Sequence, residues 1–120
     1  MHEFTLATAL VDQLLRIAAE HGATGVTRVE VRCGVLQQVE PESLRFAFDA
    51  LVRETVARGA ELRIVPEPVA ARCRACGRGF APRIDDYMCP DCGRADTEVT
   101  AGRDVVLQSV ELLRADGTAP

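Results

Sequence analysis

The sequence has no tryptophan, no lysine and no long apolar run. Aromatic residues make up only 4% of its 120 residues, so we expect a core built mainly from Val, Leu, Ile and Ala. No apolar stretch approaches the about 20 residues that a helix needs to cross a bilayer, and the start of the chain has no basic segment ahead of an apolar one. These absences predict a cytoplasmic protein without a membrane anchor.

A net positive charge is also missing. The 14 basic residues, all of them Arg, are outnumbered by 18 acidic residues, which gives a net charge of −4. Proteins that grip nucleic acid usually carry a positive field, because phosphate contacts supply most of that affinity. The charge balance therefore argues against a nucleic-acid-binding protein.

Apolar residues at helical spacing predict two amphipathic helices. The first runs from Glu3 to about Glu20, and Gly22 follows it, as is common after helix ends. The second begins at Pro41, which suits the first turn of a helix, and extends to Gly59. The predicted apolar faces are Phe4, Ala7, Leu10 or Val11, Leu14 and Ala18 in the first helix, and Leu44, Ala47 or Phe48, Leu51, Val52 and Val56 in the second.

Three segments have strand character. VTRVEVRCG alternates apolar and charged residues, as in a half-buried strand. Leu62 and Ile64 mark a second, short strand, which Pro66 and Pro68 are expected to end. DVVLQSVELL, after a cysteine-rich insert, predicts a third strand.

The insert carries a C-x2-C-x12-C-x2-C pattern, and a glycine follows each pair. Two such pairs can close a tetrahedral site around one ion, and four thiolates suit structural zinc. In a reducing compartment, ordered cysteine pairs are more often metal ligands than disulfides. The predicted zinc ligands are Cys73, Cys76, Cys89 and Cys92.

Three other interpretations of the insert fit its sequence less well than a zinc site does. A redox C-x-x-C pair usually stands alone, and a rubredoxin-like iron site needs a more aromatic core than Phe80 and Tyr87 supply. A nucleic-acid-binding ribbon is disfavoured because acidic residues nearly balance the six arginines of this region. Cys33 lies outside the pattern, and we expect it to be a small buried hydrophobic residue.

The predicted fold class is α+β: two helices packed on a small three-stranded sheet, with an inserted four-cysteine zinc-ribbon-like domain. The last strand returns to the sheet across the insert.

A histidine directly follows the first methionine. The terminal amine, the amide nitrogen of His2 and its imidazole can chelate a square-planar ion such as Ni(II) or Cu(II). Such a site needs neutral imidazole, so it weakens in acid. The alternative is a solvated tail. His21 is interpreted as an imidazole favoured at a helix carboxyl end.

These features occur in one order: the MHE start, an amphipathic helix, the VEPESLRFAFDAL helix and the C-x2-C-x12-C-x2-C insert. Together they resemble the HypA/HybF family of nickel metallochaperones, over the chain to about Leu113. The resemblance implies nickel ligands at His2, Met1, Glu3 and Glu40, with His2 as the principal one, and structural zinc at the four insert cysteines.

Pro66, Pro68 and the change in composition behind them, together with the resemblance, predict a division of the chain, and the resemblance also implies a set of partners. Residues 1–68 plus 104–115 would form the nickel-binding domain, 69–103 the zinc domain and 116–120 a disordered tail. The partners would be a HypB-type GTPase, the large subunit of [NiFe]-hydrogenase and, for some members, urease maturation proteins. We expect no catalysis, no nucleic acid, no membrane, and a monomer or weak homodimer. A zinc-ribbon adaptor or regulatory nucleic-acid-binding module with an incidental His2 is the alternative function.

Overall fold

The computed structural model describes residues 2–83 and 85–114. The predicted ligand Met1 and the predicted disordered tail 116–120 lie outside the described residues. None of the helices within the described ranges is long and apolar enough to cross a membrane.

The described residues form two helices, a short 3-10 turn and six strands. The helices are α1 (His2–Glu20) and α2 (Pro41–Val52), and the 3-10 turn is Val35–Gln37. The strands are β1 (Ala23–Gly34), β2 (Glu61–Glu67), β3 (Ala70–Cys73), β4 (Gly79–Phe80), β5 (Thr97–Ala101) and β6 (Val105–Arg114).

The strands form two three-stranded sheets, with the orders β2-β1-β6 and β4-β3-β5. The predicted α+β class is confirmed, and so is the return of the last strand to the sheet that contains β1. The second sheet, within the cysteine-rich insert, is antiparallel around β3.

The chain divides into two compact units. Unit 1 contains the described residues up to Val31, Val39–Val65 and those from Val106 onward. Unit 2 contains Arg32–Gln38 and Pro66–Val105. The sequence predicts a nickel-binding domain of residues 1–68 plus 104–115 and a zinc domain of residues 69–103. That division by bound metal stays a prediction.

Unit 1 holds most of the buried apolar side chains. The two helices pack against one another, and most of the residues predicted for their apolar faces are buried. Alternate residues of β1 and Leu62 of β2 are buried as well. The buried residues of the helices are Ala7, Leu10, Val11, Leu14 and Ala18 in α1, and Leu44, Ala47, Phe48 and Val52 in α2.

The second helix is shorter than predicted. It ends at Val52 and does not continue to Gly59. The Thr55 hydroxyl donates to the Val52 carbonyl at 2.8 Å and accepts from the amide of Ala57 at 3.1 Å, and such side-chain bonds compete with the helix. Val56 is therefore 42% exposed, and its carbonyl accepts from the amide of Val26.

Two further expectations are wrong in detail. Strand β2 continues through Pro66 to Glu67. It lies at an edge of its sheet, where a residue without an N–H is tolerated.

Phe4, expected on the buried face of α1, is 48% exposed, because the core begins one turn later at Ala7.

Unit 2 has a thin core. Its buried apolar residues among those described are Cys33, Ala71, Cys73 and Cys89. The lone Cys33 is thus a buried small residue, as predicted, and burial raises the pKa of its thiol. So little apolar area cannot stabilise a separate unit by itself, which makes a cross-link by a metal ion physically reasonable.

Candidate metal sites

The four insert cysteines converge in space. Their Sγ atoms all lie within 4.8 Å of one another. The Cys73–Cys92 and Cys76–Cys89 Sγ separations are both 3.6 Å. Sulfur ligands about 2.3 Å from one tetrahedral ion lie about 3.8 Å apart. The spacing of the sulfurs therefore fits a four-thiolate metal site.

Each cysteine pair folds into the same tight turn. In the first turn, the Cys73 amide donates to the Arg78 carbonyl and the Gly77 amide donates to the Cys73 carbonyl, both at 2.9 Å. The second turn repeats this pattern with Cys89, Gly93 and Arg94. Gly77 and Gly93 have φ of 78° and 72°, a left-handed conformation that side chains disfavour. The glycine after each pair is thus required by the backbone.

Backbone amides in these turns point at sulfur. The amide of Cys92, and after it that of Asp91, lowers the pKa of Cys89 to about 7. The Arg78 amide acts in the same direction on Cys76, but the hydrogen bond with Cys89 and burial outweigh it and raise the pKa of Cys76 to about 11. A thiol with a pKa of about 11, such as that of Cys76, keeps its proton at neutral pH, and binding of a metal would release that proton.

Carboxylates neutralise most of the arginines around the cluster. The Arg78–Asp91 pair, at 2.8 Å, joins the first turn to the second. Four of the six arginines expected to surround the cysteines are paired in this way: Arg72 with Glu98, Arg74 with Asp96, Arg78 with Asp91 and Arg83 with Asp85. These pairs leave little basic surface for phosphate groups.

The predicted nickel residues meet at the start of α1. One carboxylate oxygen of Glu3, Oε2, lies 3.6 Å from Nδ1 of His2 and accepts a hydrogen bond from the Glu40 amide at 3.0 Å. The His2 side chain is 45% exposed, whereas that of Glu3 is 17% exposed. Glu3 thus connects the histidine with the residue that precedes α2.

Three contacts keep the Glu3 carboxylate ionised. The Glu40 amide lowers the pKa of Glu3 most, followed by the amide of Glu3 itself and then by His2. A carboxylate that stays charged in mild acid can accept hydrogen bonds or hold a cation over a wide pH range.

The side chain of Glu40 faces its own helix. Oε2 of Glu40 accepts from the Glu42 amide at 2.8 Å and thereby caps the amino end of α2. The structure brings Glu40 to Glu3 through its backbone amide, and this link was not predicted. No spacing rule connects residues 3 and 40, because they belong to the ends of two different helices.

His21 lies at the other end of α1. Its Nδ1 is 2.9 Å from the carbonyl of Ile17, in the last turn of the helix. This contact agrees with the interpretation of His21 as a residue that serves the helix carboxyl end.

Known proteins resemble the chain over nearly its whole length. The HypA family model, described as "Hydrogenase/urease nickel incorporation, metallochaperone, hypA", matches residues 1–112. The hydrogenase maturation factor HypA of Shewanella halifaxensis is 36% identical over 115 residues, covering 96% of this chain and 100% of the relative. The factor of the same name from Archaeoglobus fulgidus is 40% identical over 110 residues, covering 92% and 96%.

Two solved structures share the fold. The solution structure of the Ni metallochaperone HypA from Helicobacter pylori superposes with a TM-score of 0.73 at 29% identity, covering 95% of this chain and 99% of that one. A second solution structure, of a HypA protein, gives a TM-score of 0.77 at 29% identity, covering 94% and 97%.

Proposed function

Because the chain belongs to the HypA family of hydrogenase and urease nickel-incorporation metallochaperones, we propose that it binds Ni(II) at Met1, His2 and Glu3 and passes the ion on during hydrogenase maturation. The observation that carries this proposal is the position of Glu3 Oε2, 3.6 Å from His2 Nδ1 and 3.0 Å from the Glu40 amide. It places the imidazole beside a fixed carboxylate at one end of α1.

The start of α1 suits nitrogen ligation. His2 and Glu3 lie in the first turn of α1, where the amides of a helix face groups outside the helical hydrogen-bond ladder. In the proposal, the Met1 amine and the His2 amide and imidazole form the nickel site, and Glu3 adds its amide. Square-planar nitrogen sets of this kind suit Ni(II).

The partial positive charge at the amino end of α1 favours loss of protons from the ligand amides when Ni(II) binds. A helix amino terminus repels cations, so Ni(II) is held there only when ligand amides give up their protons. Acid returns those protons and weakens the site. An exposed site that opens in this way fits an ion in transit, which must be both held and released.

Glu40 is the fourth proposed nickel residue. One of its carboxylate oxygens caps α2, so direct ligation through that oxygen would cost the cap. We therefore assign Glu40 two contributions: its amide fixes Glu3, and its carboxylate can approach a nickel ion through the oxygen that does not cap α2.

We propose zinc as the ion of the four-cysteine site. Cys73, Cys76, Cys89 and Cys92 would hold it with no open position, so the ion would fold the insert and take no part in chemistry. Residues 1–68 with 104–115 would then be the nickel domain and 69–103 the zinc domain.

The proposed partners are the proteins that take part in nickel transfer. A HypB-type GTPase would work with the chain, and the large subunit of [NiFe]-hydrogenase would receive the nickel. The work of this chain is then binding and transfer, in the cytoplasm, where thiols stay reduced. The zinc-ribbon adaptor remains the competing hypothesis, and the ion pairs around the cysteines argue against its nucleic-acid form.

Substitution of each histidine tests the proposal. His2→Ala is expected to abolish stoichiometric Ni(II) binding in calorimetric titration, while zinc content and the melting curve stay unchanged. His21→Ala is the matched control, because it removes the other imidazole of the chain and should bind nickel normally. Equal nickel affinity in His2→Ala and the unmodified protein would refute the proposed site.

A further inference from the structure

Two phenylalanines lie exposed beside Glu3. The chain has only four Phe, yet Phe46 is 79% exposed and Phe4 is 48% exposed. Both line one pocket of about 270 Å³ in unit 1. The other lining residues are Glu3, Glu42, Ser43 and Ala47. We call these six residues the aromatic patch.

The exposed side chain of Phe46 adds no buried apolar area to the core of unit 1. Phe46 lies two positions from both Leu44 and Phe48, which are buried, so the helical period turns it to the outer face of α2. A polar residue would serve the stability of α2 as well at that position. A large apolar side chain that stays in water, next to a second one, is typical of an interaction surface.

The surroundings of the patch are acidic. Glu42 and Asp49 lie one turn before and one turn after Phe46 on the same face of α2, and both are exposed. Glu3 adds a third carboxylate from α1. The nearest arginine in sequence, Arg45, is directed away, since its guanidinium donates to the carbonyl of Leu62.

We propose that the aromatic patch docks the protein that exchanges nickel with this chain, through an apolar side chain flanked by Lys or Arg on that partner. This inference rests on the proposed function, because Glu3 belongs both to the patch and to the proposed nickel site. An apolar side chain would fill the pocket between Phe4 and Phe46, and basic neighbours would meet Glu42 and Asp49.

The same charges disfavour a second copy of this chain as the occupant. A twofold contact brings one surface against itself. Here it would place Glu42 and Asp49 of two copies against one another, which opposes association. A partner of opposite charge has no such cost, and it would dock directly beside Glu3, which belongs to the proposed nickel site.

Binding measurements with two purified proteins test the inference: the HypB-type GTPase and the hydrogenase large subunit. Phe46→Ser is expected to weaken binding to at least one of them by about tenfold or more. The double substitution Glu42→Lys, Asp49→Lys should slow association and reverse its dependence on salt. Met88→Ser, a similar change at a side chain that is 53% exposed in unit 2, is the matched control.

Nickel binding separates this inference from the proposed function. Phe46→Ser should bind Ni(II) as the unmodified protein does, because Phe46 supplies no ligand. If Phe46→Ser binds both partners normally, the inference is overturned while the nickel site stands. If Phe46→Ser only turns a dimer into a monomer in sedimentation, the patch serves self-association and the inference is again overturned.

Discussion

The carboxylate of Glu3 accepts a hydrogen bond from the backbone amide of Glu40, with 3.0 Å between oxygen and nitrogen. This bond ties the first turn of α1 to the residue that caps α2. It also fixes the carboxylate 3.6 Å from Nδ1 of His2. Glu3 therefore holds a carboxylate in place beside His2, the principal ligand of the proposed nickel site.

Glu3→Gln should weaken nickel binding. The amide side chain can still accept from Glu40, but it no longer attracts a cation or orients the imidazole. Loss of a partner that orients a metal ligand typically lowers affinity about 10–100-fold. Calorimetric Ni(II) titration measures this, with Glu20→Gln at the opposite end of α1 as the control. Equal affinities would show that Glu3 has no role in nickel binding.

The stability of the unmodified protein should depend on Glu3 in acid. The Glu40 amide holds the pKa of Glu3 below its ordinary value of 4.5. A lowered pKa contributes stability that is fully present above the ordinary value and is lost as the pH falls through the lowered one. The unmodified protein should melt at a higher temperature than the Glu3→Gln variant. This difference should be constant at neutral pH and should shrink below pH 4.5. A difference that grows in acid would contradict this account.

Phe46 and Phe48 should respond differently to truncation. Phe48 is 1% exposed in the core of unit 1, so Phe48→Ala should lower the free energy of unfolding by about 3–5 kcal/mol. Phe46→Ala, on the same helix, should change it by no more than about 0.5 kcal/mol. Denaturant unfolding followed by circular dichroism measures both. A large loss for Phe46→Ala would mean that Phe46 is a structural residue and not a docking one.

The glycines of the two cysteine turns should be needed for metal affinity. An added Cβ at Gly77 or Gly93 would meet no atom within 4 Å, so its cost comes from the left-handed backbone alone, about 1–2 kcal/mol. Folding of unit 2 and metal binding are coupled in the proposal, so zinc affinity should fall about 5–30-fold. Competition with a chelator measures the affinity. Gly79→Ala, which lacks a positive φ, is the control and should bind zinc normally.

Much of the fold could be predicted from spacing alone. The helical and two-residue periods placed α1 and the alternating part of β1 correctly, because burial of one face dictates them. The convergence of four cysteines followed from two matched pairs, since that spacing has few other uses.

Other features could not be predicted, because local competition or long-range pairing decides them. The end of α2 depends on the hydroxyl of Thr55, which no apolar period reveals. The exposure of Phe4 depends on where the core stops, and the Glu3–Glu40 bond depends on how two helices pack. The capping bond of the Glu40 carboxylate was not predicted either, and its role as a nickel ligand stays a prediction.

The central claim is that the amino-terminal segment binds the nickel. The most direct test is calorimetric Ni(II) titration of protein that begins at Met1 beside protein extended by two residues before Met1, with zinc measured in both. The account predicts nickel bound to the first and lost from the second, with equal zinc content. Equal nickel binding in both would contradict it, because the extension replaces the amine of Met1 with an amide.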